Sequence, residues 1–173
     1  MKRNPWIRLA PLLLVLTVGS TRTRAESAPR APERQDAAPK RVRPYDAELF
    51  RLTRANDNYR RVLFTGALSQ LVVMTIPRGE SIGVEEHARV EQTIVVLSGS
   101  GQVLLDGRKS DVAEGDVIVV TPGTAHNLTN TGSAPLRLFT IYVPPNHLDG
   151  RVHKTKLDAE RDLENERFGS QGK

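Results

Sequence analysis

The stretch GESIGVEEHARVEQTIVVLSG, Gly79 to Gly99, decides the reading of this chain. It carries Glu85, His87 and Gln92 among short β-branched runs. A strand places residues i and i+2 on one face, so Glu85 and His87 are expected to point together. A turn over Ala88 to Glu91 would let Gln92 return to that face from the next strand. A second stretch, GDVIVVTPGTAHNLTN (Gly115 to Asn130), supplies His126 from far along the chain. Two imidazoles, one carboxylate and one amide oxygen suit a divalent transition metal, so the two stretches read as a split metal site on a β-barrel.

Outward from these stretches the chain is β-patterned. Strands are expected at Arg61–Phe64, Ser69–Ile76, Thr93–Leu97, Gly101–Leu105, Val117–Val120 and Leu136–Val143. Turn signals separate them, among them Pro77-Arg78-Gly79, Ser98-Gly99-Ser100-Gly101, Glu114-Gly115-Asp116 and Thr131-Gly132-Ser133. Asp106-Gly107 predicts a hairpin within Leu104–Ser110. Many short strands without a long 3.6-period segment indicate an all-β sandwich or barrel. Gly99, Gly107, Gly115 and Gly123 are read as turn glycines, and Asn130 as a residue that bonds backbone in a turn. Nothing resembles a phosphate-cradling loop.

The chain has 173 residues, enough for one domain with extensions. Lys2, Arg3 and Arg8 precede the apolar run Leu9–Gly19, and Thr23 and Ala25 are small residues of a cleavage region. That order predicts a signal peptide over residues 1–25, cut after Ala25 or, second, after Ser20; the other reading is an uncleaved N-terminal anchor. Residues 26–44 are rich in Pro, Ala and charge, and read as a disordered linker. The β-barrel domain is assigned to residues 45–156. Residues 157–173 form a charged C-terminal tail, a short and mostly solvated helix or a frayed end.

The formal charge of +5 misleads, because five basic residues and no acid lie before residue 26. Without them, 20 basic residues balance 20 acidic ones. A neutral mature chain gives no reason to expect nucleic acid, or membrane once the signal is removed, as a partner. No cysteine is present, which excludes disulfides, thiolate catalysis and thiolate ligands.

These residues resemble the cupin family, specifically its small single-domain bacterial members. The first cupin motif runs Gly, five residues, His, one, His, four, Glu, six, Gly; here the same spacing gives Gly79, Glu85, His87, Gln92 and Gly99. The second runs Gly, five residues, Pro, one, Gly, two, His, three, Asn; here it gives Gly115, Thr121, Gly123, His126 and Asn130, with the proline moved to Pro122. The likeness covers residues 60–145. Tyr142–His147 and Val152–Lys156 also look like the closing segment of a bacterial cupin subgroup with Glu-x-His and Gln in its first motif.

The resemblance implies a double-stranded β-helix, or jelly-roll barrel, with a disordered N-terminal extension. It implies a metal held by Glu85, His87, Gln92 and His126, with manganese, iron, zinc or nickel as candidates, and a homodimer. Glu85 stands where the family usually has its first His, and Gln92 where it has Glu, so the carboxylate has exchanged places with a neutral ligand. Glu85, His87 and His126 have the composition of a two-His, one-carboxylate triad. Gln92 either ligates or orients a ligand or a metal-bound water.

Val84, Ile94, Val96, Ile118 and Val120 are expected to line an apolar chamber. Tyr142, His147 and His153 are the remaining proton-transfer candidates, the two histidines reading as exposed loop residues. Tyr59 and Arg61 precede an early strand and are within conceivable reach of a substrate. Ser98 and Ser100 have no triad partners.

The function expected is an exported metal-dependent enzyme, dioxygenase-like or isomerase-like, acting on a small oxygenated substrate. The alternative is a non-catalytic exported module that captures a small sugar or acid. A third reading is a structural dimer with a vestigial site. The expected location is periplasmic or secreted.

Overall fold

The computed structural model describes residues 42–170. The signal peptide expected over residues 1–25 lies outside the described residues, as does most of the linker expected over residues 26–44.

Among the described residues, nine strands form two sheets. The larger has the order β6 (Val117–Val120), β3 (Glu91–Ser98), β8 (Leu136–Val143), β2 (Gln70–Ile76), β1 (Arg60–Thr65) and β9 (Val152–His153). The smaller has β5 (Arg108–Ala113), β4 (Ser100–Leu105) and β7 (His126–Thr129). All pairings are antiparallel. Val72, Met74, Ile94, Val96, Leu136 and Leu138 from the larger sheet meet Val103, Val112 and Leu128 from the smaller in one buried core. This is the expected all-β barrel, and each of the six expected strands is present.

Burial follows chemistry strand by strand. β8 alternates between buried and partly covered residues, as a strand with one core face should. β2 is buried on nearly every residue, because helix α1 (Leu49–Arg54) covers the outside of the sheet. Phe50 of α1 lies 6.4 Å from Phe139, whose register partner is Val73. The hairpin β4–β5 turns on Asp106 (φ 46°) and Gly107 (φ 81°), the two left-handed residues of a type I′ turn. At Gly99 (φ 91°) a Cβ would lie 2.8 Å from the Pro135 carbonyl oxygen, so the turn after β3 accepts no side chain. Asn130 bonds backbone as expected, donating to the carbonyls of Ile76 (2.8 Å) and Ala134 (2.9 Å) and accepting from Gly132 N–H (3.0 Å).

Beyond the barrel the chain makes two helices, α2 (Lys156–Arg161) and α3 (Leu163–Ser170), which bury Ala159 and Asn165. The segment expected to be a short, mostly solvated helix or a frayed end is helical and mostly exposed, with these two residues docked. Thr155 and Asp158 form a capping box at α2. Asp162 precedes α3 and accepts the Asn165 N–H at 3.1 Å. Its other oxygen lies 2.9 Å from His153 Nε2 and 2.7 Å from Arg151 Nε. His153 is therefore a buried residue of β9, paired in register with Arg60, and not the exposed loop residue expected.

Burial pushes the Asp162 carboxyl up, but His153, the Asn165 N–H and Arg151 outweigh it and hold it below its ordinary 3.8. A carboxyl with a depressed folded value stabilises the fold above its unfolded value and stops doing so as pH falls through the folded one. The docking of α3 should therefore loosen at pH below about 3.8, observed as NMR shift changes confined first to residues 163–170. Asp162→Asn should show the loosened spectrum at neutral pH.

Candidate metal centre

Two motifs meet through backbone. Glu85 and His126 exchange N–H···O=C bonds of 2.9 Å in both directions, and Ile82 N–H donates to Leu128 O at 3.1 Å. The segment ahead of β3 thus runs antiparallel along the free edge of β7. Glu85 and His87 face one way, and Gly123 N–H bonds the His87 carbonyl at 2.8 Å. Val84 is exposed at the rim of a pocket and does not join the buried core; the other four expected chamber residues are buried. A bend at Ala88 and Arg89 turns the chain into β3, which carries Gln92 inward.

One ligand atom each from Glu85, His87 and His126 lies within 4.8 Å of the others. Gln92, the fourth expected member, joins them with Oε1 3.1 Å from His126 Nε2. All four residues singled out in the sequence are thus brought together.

The protons can be placed from the partners. His126 Nδ1 donates to the Thr124 carbonyl at 3.0 Å, which leaves Nε2 as a lone pair. Gln92 Nε2 donates to the Tyr142 hydroxyl at 3.1 Å, which turns its oxygen toward His126. In this orientation His126 Nε2 and Gln92 Oε1 face each other at 3.1 Å. Neighbouring ligands on an octahedral cation with bonds of about 2.1 Å sit about 3 Å apart, so this spacing suits a shared cation.

His87 carries the same implication. Its side chain is 11 % accessible and neither ring nitrogen has a hydrogen-bond partner, with Nε2 3.5 Å from Glu85 Oε2. Buried polar atoms are normally paired, and a divalent cation would take one of these two nitrogens. Burial pushes the Glu85 carboxyl up, while His87 and then Arg60 pull it down further, so it stays ionised below its ordinary range. The triad composition suits manganese, iron, zinc or nickel.

A pocket of about 240 Å³ opens on this group, lined on the ligand side by Val84, Glu85, Glu86 and His87. The rest of its lining is Arg60, Asn146, His147 and the α3 residues Asn165, Glu166, Gly169 and Ser170. Arg60 lies under the ring of Tyr59, with its Nη2 3.9 Å from Glu85 Oε1 and its Nε unpartnered. The sequence reading chose Arg61, which is exposed; the register of β1 puts its neighbour inward. Tyr59 is buried, which pushes its hydroxyl up to about 12, and burial likewise raises Tyr142.

His147 is buried, not exposed as expected, because Gln70 fastens its backbone. The Gln70 amide donates to His147 O (2.7 Å) and accepts from the N–H groups of His147 (2.9 Å) and Asn146 (3.2 Å). Burial, then the Arg60 guanidinium beside it, hold the ring neutral, well below 6.5.

A family model described as a cupin domain matches residues 72–142. The chain is 40 % identical over 131 residues to uncharacterized protein YrkC of Bacillus subtilis, covering 72 % of this chain and 69 % of that one. It is 30 % identical over 91 residues to uncharacterized protein MJ1618 of Methanocaldococcus jannaschii, covering 52 % and 73 %. The crystal structure of BH2720 from Bacillus halodurans superposes with a TM-score of 0.67 at 38 % identity, covering 68 % of this chain and 94 % of that one.

Gln92→Leu should weaken binding of a divalent metal by about 10–100-fold, the usual cost of losing a residue that orients a ligand. Calorimetric titration with Mn(II) checks this.

Proposed function

The chain belongs to the cupin family, and on that premise we propose that it is an exported metal-dependent enzyme acting on a small oxygenated substrate. The observation that carries the reading is His87: both ring nitrogens are enclosed and unpartnered beside ligand atoms of Glu85 and His126. Glu85, His87 and His126 would hold the metal, and Gln92 would ligate or orient. A metal there supplies Lewis-acid or redox chemistry: dioxygenase-like with iron or manganese, isomerase-like with manganese or zinc.

The residues of the chain divide the remaining work. Ile94, Leu128, Leu138 and Met74 form an apolar floor on the barrel side, which keeps bulk water from that face. The pocket on the other side admits a molecule smaller than the drug-sized ligands that fill sites of about 300–1,000 Å³. Lys2, Arg3 and Arg8 ahead of Leu9–Gly19 support export to the periplasm or beyond. The neutral mature charge supports a small-molecule partner over nucleic acid or membrane. The open edge of β6, with Val117 and Val119 exposed, supports a homodimer.

A second reading, capture without turnover, is favoured by His147. Its Nδ1 already faces Arg60 and Asn165, so the ring is a donor and not a free base.

Protein purified without chelator should contain about one equivalent of divalent metal, and His126→Ala and His87→Ala should lose it while keeping the β-rich circular dichroism spectrum. Unchanged metal content in these variants would refute the assignment. Oxygen uptake with catechols or diketones separates oxidative turnover from capture.

A further inference from the structure

The pocket lining beyond the metal group is built as carefully as the metal group itself, and its chemistry is that of anion recognition. We infer that the pocket takes a small carboxylate-bearing molecule, its carboxylate held by the Arg60 guanidinium, which His147 positions, while a neighbouring oxygen reaches the Glu85–His87–His126 group. This rests on the metal reading above and narrows its substrate class.

Arg60 is 5 % exposed, and a guanidinium carries five N–H donors. Its closest polar neighbours are His147 Nδ1, 3.4 Å from Nη1, and Glu85 Oε1, 3.9 Å from Nη2; Nε has no partner. A buried guanidinium this poorly served retains donors for a carboxylate, which it matches in planar, two-point geometry.

His147 fixes the guanidinium from behind, and its own direction of bonding is set by Asn165. The Leu148 N–H donates to Asn165 Oδ1 at 3.0 Å, so the other end of that amide, Nδ2, donates to His147 Nδ1 at 3.1 Å. Arg60 Nη1 faces the same nitrogen. With Nδ1 accepting, the proton of the neutral ring sits on Nε2, which is buried and unpartnered. His147 is 4 % exposed and its Nε2 is closed off from the pocket, so the ring acts on a ligand through Arg60, whose Nη1 faces Nδ1.

Charge points the same way. A divalent metal and Arg60 contribute three positive charges, against one negative charge on Glu85. The remaining carboxylates lining the pocket, Glu86 and Glu166, are exposed and hydrated. They offset the excess weakly and disfavour polyanions, which leaves a small, singly charged acid as the fitting ligand.

The test compares acids with uncharged molecules of the same shape. Metal content is first measured on the Mn(II)-loaded full chain. Calorimetry then follows pyruvate against butane-2,3-dione, and glycolate against ethylene glycol. At least one acid should bind about 30-fold or more tightly than its neutral counterpart. Arg60→Gln should abolish that preference, and His147→Phe, which keeps an aromatic ring against Tyr142, should reduce it about fivefold. The ¹⁵N spectrum should show His147 protonated at Nε2, with that resonance moving on addition of the acid.

Should Arg60→Gln not fold, the wild-type preference and His147→Phe decide the matter. A chain that takes up no metal overturns the metal reading and this inference with it. A chain that takes up Mn(II) yet binds neither acid in preference to its neutral counterpart overturns this inference alone, as does an acid preference that survives Arg60→Gln.

Discussion

Everything at the site depends on one backbone pair. The reciprocal 2.9 Å hydrogen bonds between Glu85 and His126 join residues 41 positions apart and set both side chains at one place. Neither residue lies in a long strand at that point: Glu85 makes an isolated bridge, and His126 opens the four-residue β7. The pairing is therefore held from its flanks. Ile82 and Gly79 extend it along β7 toward Asn130, and Gly123 anchors the His87 carbonyl beyond it. A one-residue slip here would turn Glu86 inward in place of Glu85 and exchange the carboxylate's face.

The exchange of carboxylate and amide between the usual ligand positions has a physical account. Gln92 is 2 % exposed, beside the Tyr142 hydroxyl and against an apolar floor. A carboxylate there would be fully buried against apolar side chains, an expensive arrangement. Glu85 retains 29 % accessibility in its side chain and has Arg60 at 3.9 Å. The negative charge thus sits where solvent and a guanidinium offset its burial, and the neutral amide occupies the dry position. Tyr142 completes the arrangement by taking the amide N–H and leaving the amide oxygen toward His126.

How much of this was legible follows from the range of the signals involved. Period-2 runs such as Thr93–Leu97 and Leu136–Val143 and the turn residues between them are local, and they marked six strands and the β4–β5 hairpin. The four clustered residues were legible because motif spacing encodes them, despite two departures in residue type. β7 escaped as a strand because His126–Thr129 is short and half polar, while β5 (Arg108–Ala113) is mostly exposed and charged. Arg60 was missed by one residue, since both positions are arginine and only the pairing with β2 and β9 settles which turns inward. His147 and His153 read as loop residues because their burial comes from Gln70, far back in sequence, and from Asp162 and Asn165, in a segment whose composition is that of a solvated tail.

That division has a consequence for what family membership tells about this chain. Residues 72–142 match the cupin domain, and within them lie Glu85, His87, Gln92, His126 and Tyr142. Arg60, Asn146, His147 and Asn165 all lie outside that span, on β1, on the loop after β8 and on α3. The barrel therefore carries the group that could hold a metal, while the rest of the pocket lining is assembled from flanking segments. Those segments are themselves bound to each other: β9 pairs with β1, Asp162 ties α3 to His153 and Arg151, and Asn165 fixes His147 beside Arg60. A change in β1 or α3 can thus alter what the pocket recognises without touching a ligand residue. Two members with identical motifs can therefore differ in the rest of the pocket lining, which in this chain is Arg60, His147 and the helix packed against them.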